Sequence, residues 1–420
     1  MKTYSRKQLI LGSTICIVGA LFYCYEFILR IVPGVLQNEL IAAFGNISAS
    51  TFGKLAALYY FAYSPMQVPV GMLMDRFGPR RLLSLACLCC TLGSLMFSYS
   101  TSIVIAGSGR FLVGFGSAFA FVGVLTAAVN WLPPRFFSLV AGLMTTLGML
   151  GVIYGEVKIT QLANTMSLSS VLMLLVFAGL ILTVFIYLIV RDRPNGLETK
   201  HESFPHFFKS VLQVLMSKQV WLIGFVGACL YTSLSVFGEL WGKSYLEYAH
   251  HLTKEHAATT ISMMFLGWGI GAPLSGYISD HTGRRILPLV IGGLLSLLCI
   301  SIILYVPQLS YFSLNTLMFL YGIFSSVEII VFVMAKENSG ALLSSTVFAV
   351  VNMIVTLGGV ILQPLVGTLL DMVSDNHLIG GVHIYTTRDY QIALTVIPIS
   401  MVLMIITTCF LRDNSRKSLN

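Results

Sequence analysis

Apolar residues in this chain neither alternate nor recur in stripes; they run on. Continuous apolar stretches lie near positions 8–32, 52–74, 81–99, 102–129, 137–157, 168–190, 219–241, 257–279, 286–306, 310–334, 343–370 and 391–411. A helix needs about 20 such residues to cross the hydrocarbon core of a bilayer. A spanning β-strand needs roughly 10, alternating in and out. The runs are too long and too uniform for strands, and in lipid a segment must satisfy its own backbone groups, so they must be helices. The pattern predicts an all-α polytopic membrane protein with twelve transmembrane helices.

Composition agrees. The chain is 56% hydrophobic and 10% charged, with a mean hydropathy of +0.85. A soluble domain carries roughly 25% charged residues, so too few charges remain here to cover a surface in water. The first run follows three cations and superficially resembles a signal peptide. It is too long for an h-region and no small-residue cleavage site follows, so it reads as a retained first span.

The polar breaks set orientation. With the amino terminus placed in the cytoplasm, 18 Lys and Arg fall inside and six outside: Arg30, Lys54, Lys158, Lys243, Lys254 and Arg388. Arg110 is the remaining cation, within a span. This split follows the positive-inside rule and puts both termini in the cytoplasm. The net charge of +8 is therefore a topology signal and gives no hint of nucleic acid. All eight cysteines lie in or beside apolar runs, Cys87, Cys89 and Cys90 together, and read as small packing residues. Their spacing suits no metal site, and no cofactor is implied.

The most polar interior stretch, Arg191–Lys218, opens with RDRPNG and holds His201, Pro205 and His206. It reads as a cytoplasmic linker (191–218) between six-helix bundles at 1–190 and 219–420. The halves repeat a pattern. Gly71-x-x-x-Asp75-x-x-Gly78 with Arg80 and Arg81 ends the second span; Gly276-x-x-x-Asp280-x-x-Gly283 with Arg284 and Arg285 ends the eighth. The offset is 205 at all three Gly and Asp positions (276 − 71, 280 − 75, 283 − 78). Internal repeats are a signature of transporters that hold substrate near the midplane between repeats. A partial third copy, Pro364-x-x-Gly367-x-x-x-Asp371, ends the eleventh span on the outer face.

These residues carry a resemblance. Gly71-Met-Leu-Met-Asp75-Arg76-Phe-Gly78-Pro-Arg80-Arg81 resembles the signature loop of the major facilitator superfamily. Arg110-Phe-Leu-Val-Gly114-Phe-Gly116 resembles that superfamily's second motif. The resemblance extends over the whole chain and implies a gating role for the loop and a part in coupling for Arg110. Physically, Asp75 at the carboxyl end of its own helix opposes the macrodipole and needs a positive partner. The loop arginines and the amino terminus of the eleventh span are available, and Gly71 would let helices approach closely.

Ionisable groups inside spans usually face a cavity or a partner. Glu26 and Arg30, four apart in the first span, share a face. Arg110 has no basic counterpart at the 205 offset, where Asn315 stands, and is left as a candidate unpaired cation awaiting an anionic group. Glu156 and Glu239 sit near outer helix ends and Glu328 near an inner one, where interfacial roles are commoner. No histidine lies clearly within a span. If protons are coupled, a carboxylate carries them, and Glu26 is the first choice because apolar burial favours a protonated carboxyl. Tyr23, Tyr25, Tyr59, Tyr60, Tyr63 and Tyr231 line spans, with Tyr59, Tyr63 and Tyr231 the candidates for the pathway.

Glycines 142, 148, 151 and 155 suit the fifth span to close packing. No proline stands between Arg135 and Thr160, where the superfamily's antiporters usually carry a Gly-Pro element, and this argues against drug efflux. No catalytic cluster at one depth supports an enzyme. The expectation is a secondary transporter, functional as a monomer, working by alternating access. Its cargo would be a small polar solute: a zwitterion, short peptide or organic anion, with or without protons. Tyr23-Cys-Tyr-Glu26 and Pro33-x-x-Leu36-Gln37 are similar to the lysosomal dipeptide-transporter branch of the superfamily. The absence of long tails and of an acidic dileucine signal favours a bacterial inner membrane.

Overall fold

The structure, a computed structural model, describes residues 6–133, 136–192, 204–339, 344–374, 378–379, 382–383 and 385–413. Residues 193–203 of the polar linker, including RDRPNG beyond Asp192 and His201, lie outside them, as does Arg135.

Among the described residues twelve helical spans form, eleven of them long and apolar enough to cross a membrane. They are span one (Arg6–Val35), span three (Pro79–Tyr99), span four (Ile103–Trp131), span five (Leu139–Ala163), span six (Leu168–Ile189), span seven (Lys218–Ala249), span eight (Lys254–Thr282), span nine (Ile286–Tyr305), span ten (Tyr311–Asn338), span eleven (Thr346–Val373) and span twelve (Thr387–Thr408). Span two (Ala49–Phe77) is just as long but less apolar. It carries Tyr59, Tyr60, Tyr63 and Gln67, all buried within the protein, so it gives up hydropathy to line the centre. Several spans run past the apolar stretches that mark them in the sequence, because helix hydrogen bonding continues into the polar boundary. Non-α structure outside the bundle is slight: a two-residue antiparallel pair joins Leu378–Ile379 to Val382–His383.

Spans one to six pack as one bundle and seven to twelve as another. Between bundles, span two lies along span eleven, span five along span eight, and span one against span seven. A six-span shift exchanges the first two pairings and returns the third to itself, so the interface repeats the pseudo-symmetry of the sequence. A helix at Phe204–Leu215 leads into span seven and rests on span eleven; Phe207 and Val214 face the protein while Phe208, Leu212 and Met216 face outward.

The interface is closed at the face opposite the chain's ends. Lys243 on span seven donates to the Val35 carbonyl at 2.7 Å and to Thr160 at 2.9 Å. Ser244 donates to Gln37 at 2.8 Å, and Lys254 meets Glu39 at 2.5 Å. Gly367 of span eleven touches the backbone of Ala49, where any Cβ would collide with the Ala49 carbonyl. Beside it, Asp371 accepts the Ala49 and Ser50 N–H groups at 3.1 and 2.9 Å. The Pro-Gly-Asp repeat of span eleven thus seals this face.

Candidate substrate site at the bundle interface

Pro33 lies inside span one and has no N–H to give to the Leu29 carbonyl four residues back. Arg110 supplies the missing donor: its Nη1 reaches Leu29 O at 2.9 Å and its Nη2 reaches Arg30 O at 3.4 Å. The sequence leaves Arg110 as a cation without an anion. The structure gives it two carbonyls and the face of Tyr59, 5.2 Å from its ring centroid. It braces the helix just where Arg30 projects.

Arg30 is 4% exposed and holds several groups together. Its Nη2 grips both oxygens of Glu26 at 3.2 and 3.1 Å, and its Nε donates to the Tyr59 hydroxyl at 3.0 Å. Tyr59 in turn donates to Glu26 at 3.0 Å. The third arm, Nη1, crosses to the other bundle, reaching the Tyr231 hydroxyl at 3.1 Å and Glu239 at 3.9 Å. The guanidinium also stands over the rings of Phe27 and Tyr63, at 4.2 and 5.1 Å. Four of the sequence candidates, Glu26, Arg30, Tyr59 and Tyr231, are joined by hydrogen bonds; Tyr63 stacks on Tyr59.

Two participants are missed by the sequence candidates. Glu239, read from the sequence as lying near an outer helix end, is 3% exposed and central. Tyr60 donates to it at 2.5 Å and lies 3.3 Å from the Tyr231 hydroxyl. The cause is local: span seven widens into a π-helix over Ser233–Trp241. π turns are rare and concentrate at functional sites. This one is braced from span eleven, where the Gln363 side chain donates to the Ser235 carbonyl at 2.6 Å and the Gln363 backbone carbonyl accepts from Trp241 at 3.1 Å. Gly34 lets span one touch the segment, since a side chain there would strike the Glu239 carbonyl.

Other candidates fall elsewhere. Tyr25 bonds to the Leu175 carbonyl at 2.9 Å, inside the first bundle. Glu156 and Glu328 are buried away from the cluster, at 1% and 6% exposure, rather than interfacial. In the repeated loops Gly78 and Gly283 adopt positive φ, 78° and 58°, which frees both chains to turn. Arg80 caps span six through Tyr187 O at 3.0 Å, and its backbone N–H binds Asp192 at 2.8 Å. Arg285 bridges Asp280 at 2.6 Å and Glu337 at 2.7 Å. Burial opposes the Arg285 charge, but the two carboxylates outweigh it and its proton is held more firmly than usual. Asp75 and Arg76 are both engaged, whereas Arg81 and Arg284 are exposed. The close approach expected at Gly71 is not made: a Cβ there, or at Gly276, would meet nothing within 4 Å. Among the described residues the loop face makes no close approach at these two glycines, while the opposite face is shut.

Residues 10–363 match the Major Facilitator Superfamily. The chain belongs to that superfamily. It is a multi-pass integral membrane transporter, not an enzyme. Curated relatives are distant. A lysosomal dipeptide transporter of Danio rerio, MFSD1, is 22% identical over 85% of this chain and 79% of its own. A probable sulfoacetate transporter of Cupriavidus necator, SauU, is 20% identical over 66% of each chain, so just under two thirds of its length is spanned. A membrane sensor protein of Escherichia coli, UhpC, is 25% identical over 76% of each. Among solved structures, a bacterial homolog of the human lysosomal transporter Spinster, inward-facing and unoccupied, superposes with a TM-score of 0.77 at 15% identity, over 97% of this chain and 98% of that one. The nucleoside transporter NupG gives 0.75 at 14%, over 95% and 99%. These two share the fold.

Proposed function

We propose that this transporter carries a small charged organic solute, in the class of zwitterions, short peptides and organic anions, by alternating access of the Arg30 cluster. The observation that carries the reading is Arg30 itself. It is a buried cation held by a carboxylate of its own bundle and leaning toward one of the other, with one arm loosely held. A charge-assisted hydrogen bond from such an arm to a carboxylate or sulfonate suits it. The relatives' names fit: a dipeptide and sulfoacetate both end in an anionic group.

In this reading the face with the chain's ends is cytoplasmic, as the 18-to-6 split of basic residues supports, and the outer face is the closed one. We take 1–190 and 219–420 as the bundles, 191–218 as the linker, and a bacterial inner membrane as the setting. The test is a thermal-shift screen of the purified protein against amino acids, dipeptides, organic acids and sugars, followed by flux of the hits into liposomes. Charged solutes should stabilise the protein and move, and Arg30→Gln should abolish both. Stabilisation by neutral sugars alone would overturn the reading.

Proton coupling adds a second test. Glu26 is the carboxylate nearest the centre of the network, and Glu26→Gln should remove accumulation driven by a pH gradient. A variant that keeps it in full excludes Glu26 as the carrier.

A further inference from the structure

The two carboxylates of the cluster are held in opposite ways. Glu26 takes its bonds from Arg30 and Tyr59, on spans one and two, which move with it. Glu239 belongs to the second bundle, yet its partners Tyr60 and Arg30 stand on the first. Arg110, the other cation acting on it, is on the first bundle as well. Separation of the bundles therefore leaves the Glu26 pair intact and strips Glu239 of every positive neighbour it has here. A buried carboxylate left alone is heavily penalised, so a cation or a proton must replace what withdraws.

We propose that Glu239 reads a positively charged amino group on the substrate. This rests on the transport reading above and narrows it. The ammonium takes the place of Tyr60 and Arg30 at Glu239. Nη1 of Arg30, the arm shared now by Tyr231 and Glu239, turns to the substrate's carboxylate while Nη2 keeps Glu26. The charges support a solute of this kind. Glu26, Glu239, Arg30 and Arg110 sum to zero, so a zwitterion enters without unbalancing the site, whereas a dianion would face two carboxylates with a single guanidinium arm turned to it. The substrate class is an amino acid or short peptide with a free amino end.

The test compares three probes on the purified full-length protein, by thermal shift and by counterflow in liposomes: alanyl-alanine, its N-acetyl derivative, and sulfoacetate as the dianion. Wild type should prefer the free amine over the acetylated peptide by about tenfold or more, near 1.4 kcal/mol. Glu239→Gln should reduce that preference to within about twofold. Equal binding of both peptides by wild type, or an undiminished preference in Glu239→Gln, overturns the proposal. So does a Glu239→Gln protein that loses only its response to a pH gradient, since Glu239 would then serve a proton. If that variant does not fold, the wild-type comparison of the free and acetylated peptides still decides. Transport of sulfoacetate alone would sink the ammonium role and leave the charged-solute reading standing; no response to any charged solute would sink both.

Discussion

Asp371, at the end of span eleven, accepts the backbone N–H of Ala49, the first residue of span two, across the boundary between bundles. With Ser50 and the Tyr385 hydroxyl, which donates to Asp371 at 2.6 Å, it makes an anion-on-helix-terminus latch. The sequence expects Asp75, at the end of span two, to seek the amino terminus of span eleven. The structure shows the mirror of that arrangement on the opposite face.

Removing the latch charge should loosen this face. An anion at a helix amino terminus contributes about 1 kcal/mol, roughly a fivefold change in an open-to-closed ratio. In Asp371→Asn, a cysteine placed at Thr368 should therefore react severalfold faster with a membrane-impermeant maleimide, in a background with Cys409 replaced by Ser. Unchanged labelling would mean that Lys243 and Lys254 hold the face without help.

Arg110 and Pro33 should be energetically coupled. Arg110→Met leaves the Leu29 carbonyl buried with no donor, a loss of about 2 kcal/mol. Pro33→Ala restores the helical N–H to that carbonyl. The double variant should be more stable than the sum of the single effects by about 1 kcal/mol, read from thermal midpoints. Strict additivity would show that Arg110 does not serve the gap left by proline.

In the second repeated loop the two carboxylates on Arg285 should count unequally. The Glu337 side chain is 12% exposed and that of Asp280 is 69% exposed. Solvent screens the second pair, so Asp280→Asn should cost under about 1 kcal/mol. Glu337→Gln, beside a nearly buried guanidinium, should cost about 2 to 3 kcal/mol. Equal losses in a denaturation series would contradict the ranking.

His250 gives the protein an acid-sensitive point outside the spans. Its Nε2 lies 2.9 Å from the Ile303 carbonyl, and its Nδ1 is buried with no partner. Burial holds the ring below the usual histidine value, which is about 6.5. Near neutral pH the ring is uncharged folded or unfolded and nothing is lost. As pH falls below about 6.5 the unfolded chain protonates first, so stability declines until the folded value is passed. His250→Gln, which keeps a donor for Ile303, should flatten the fall in thermal midpoint between pH 7.5 and 5.

Architecture is legible in the sequence because lipid imposes a simple rule, about 20 apolar residues per crossing, and because the 205-residue repeat survives as letters. The Glu26–Arg30 pair is legible because helical spacing of four puts both on one face. Glu239 is not. Its place depends on the π-helix of span seven, which no local pattern marks and which Gln363, 128 positions from the Ser235 it bonds, helps to hold. Arg110 is legible as a buried cation but not as a brace, since its acceptor is a carbonyl freed by a proline on another helix. Pro33 is the signal that would have found it.

The span richest in site tyrosines is also the one too polar to enter lipid readily by itself. Insertion of a helix by the translocon follows its apolarity, and span two supplies less of it than its neighbours because Tyr59, Tyr60, Tyr63 and Gln67 occupy its length. Its insertion is expected to draw on span four, which packs along it in the folded protein. The residues suited to handling cargo thus make this helix dependent on its neighbours at birth, and substitutions chosen to alter the cargo will be felt in biogenesis as well.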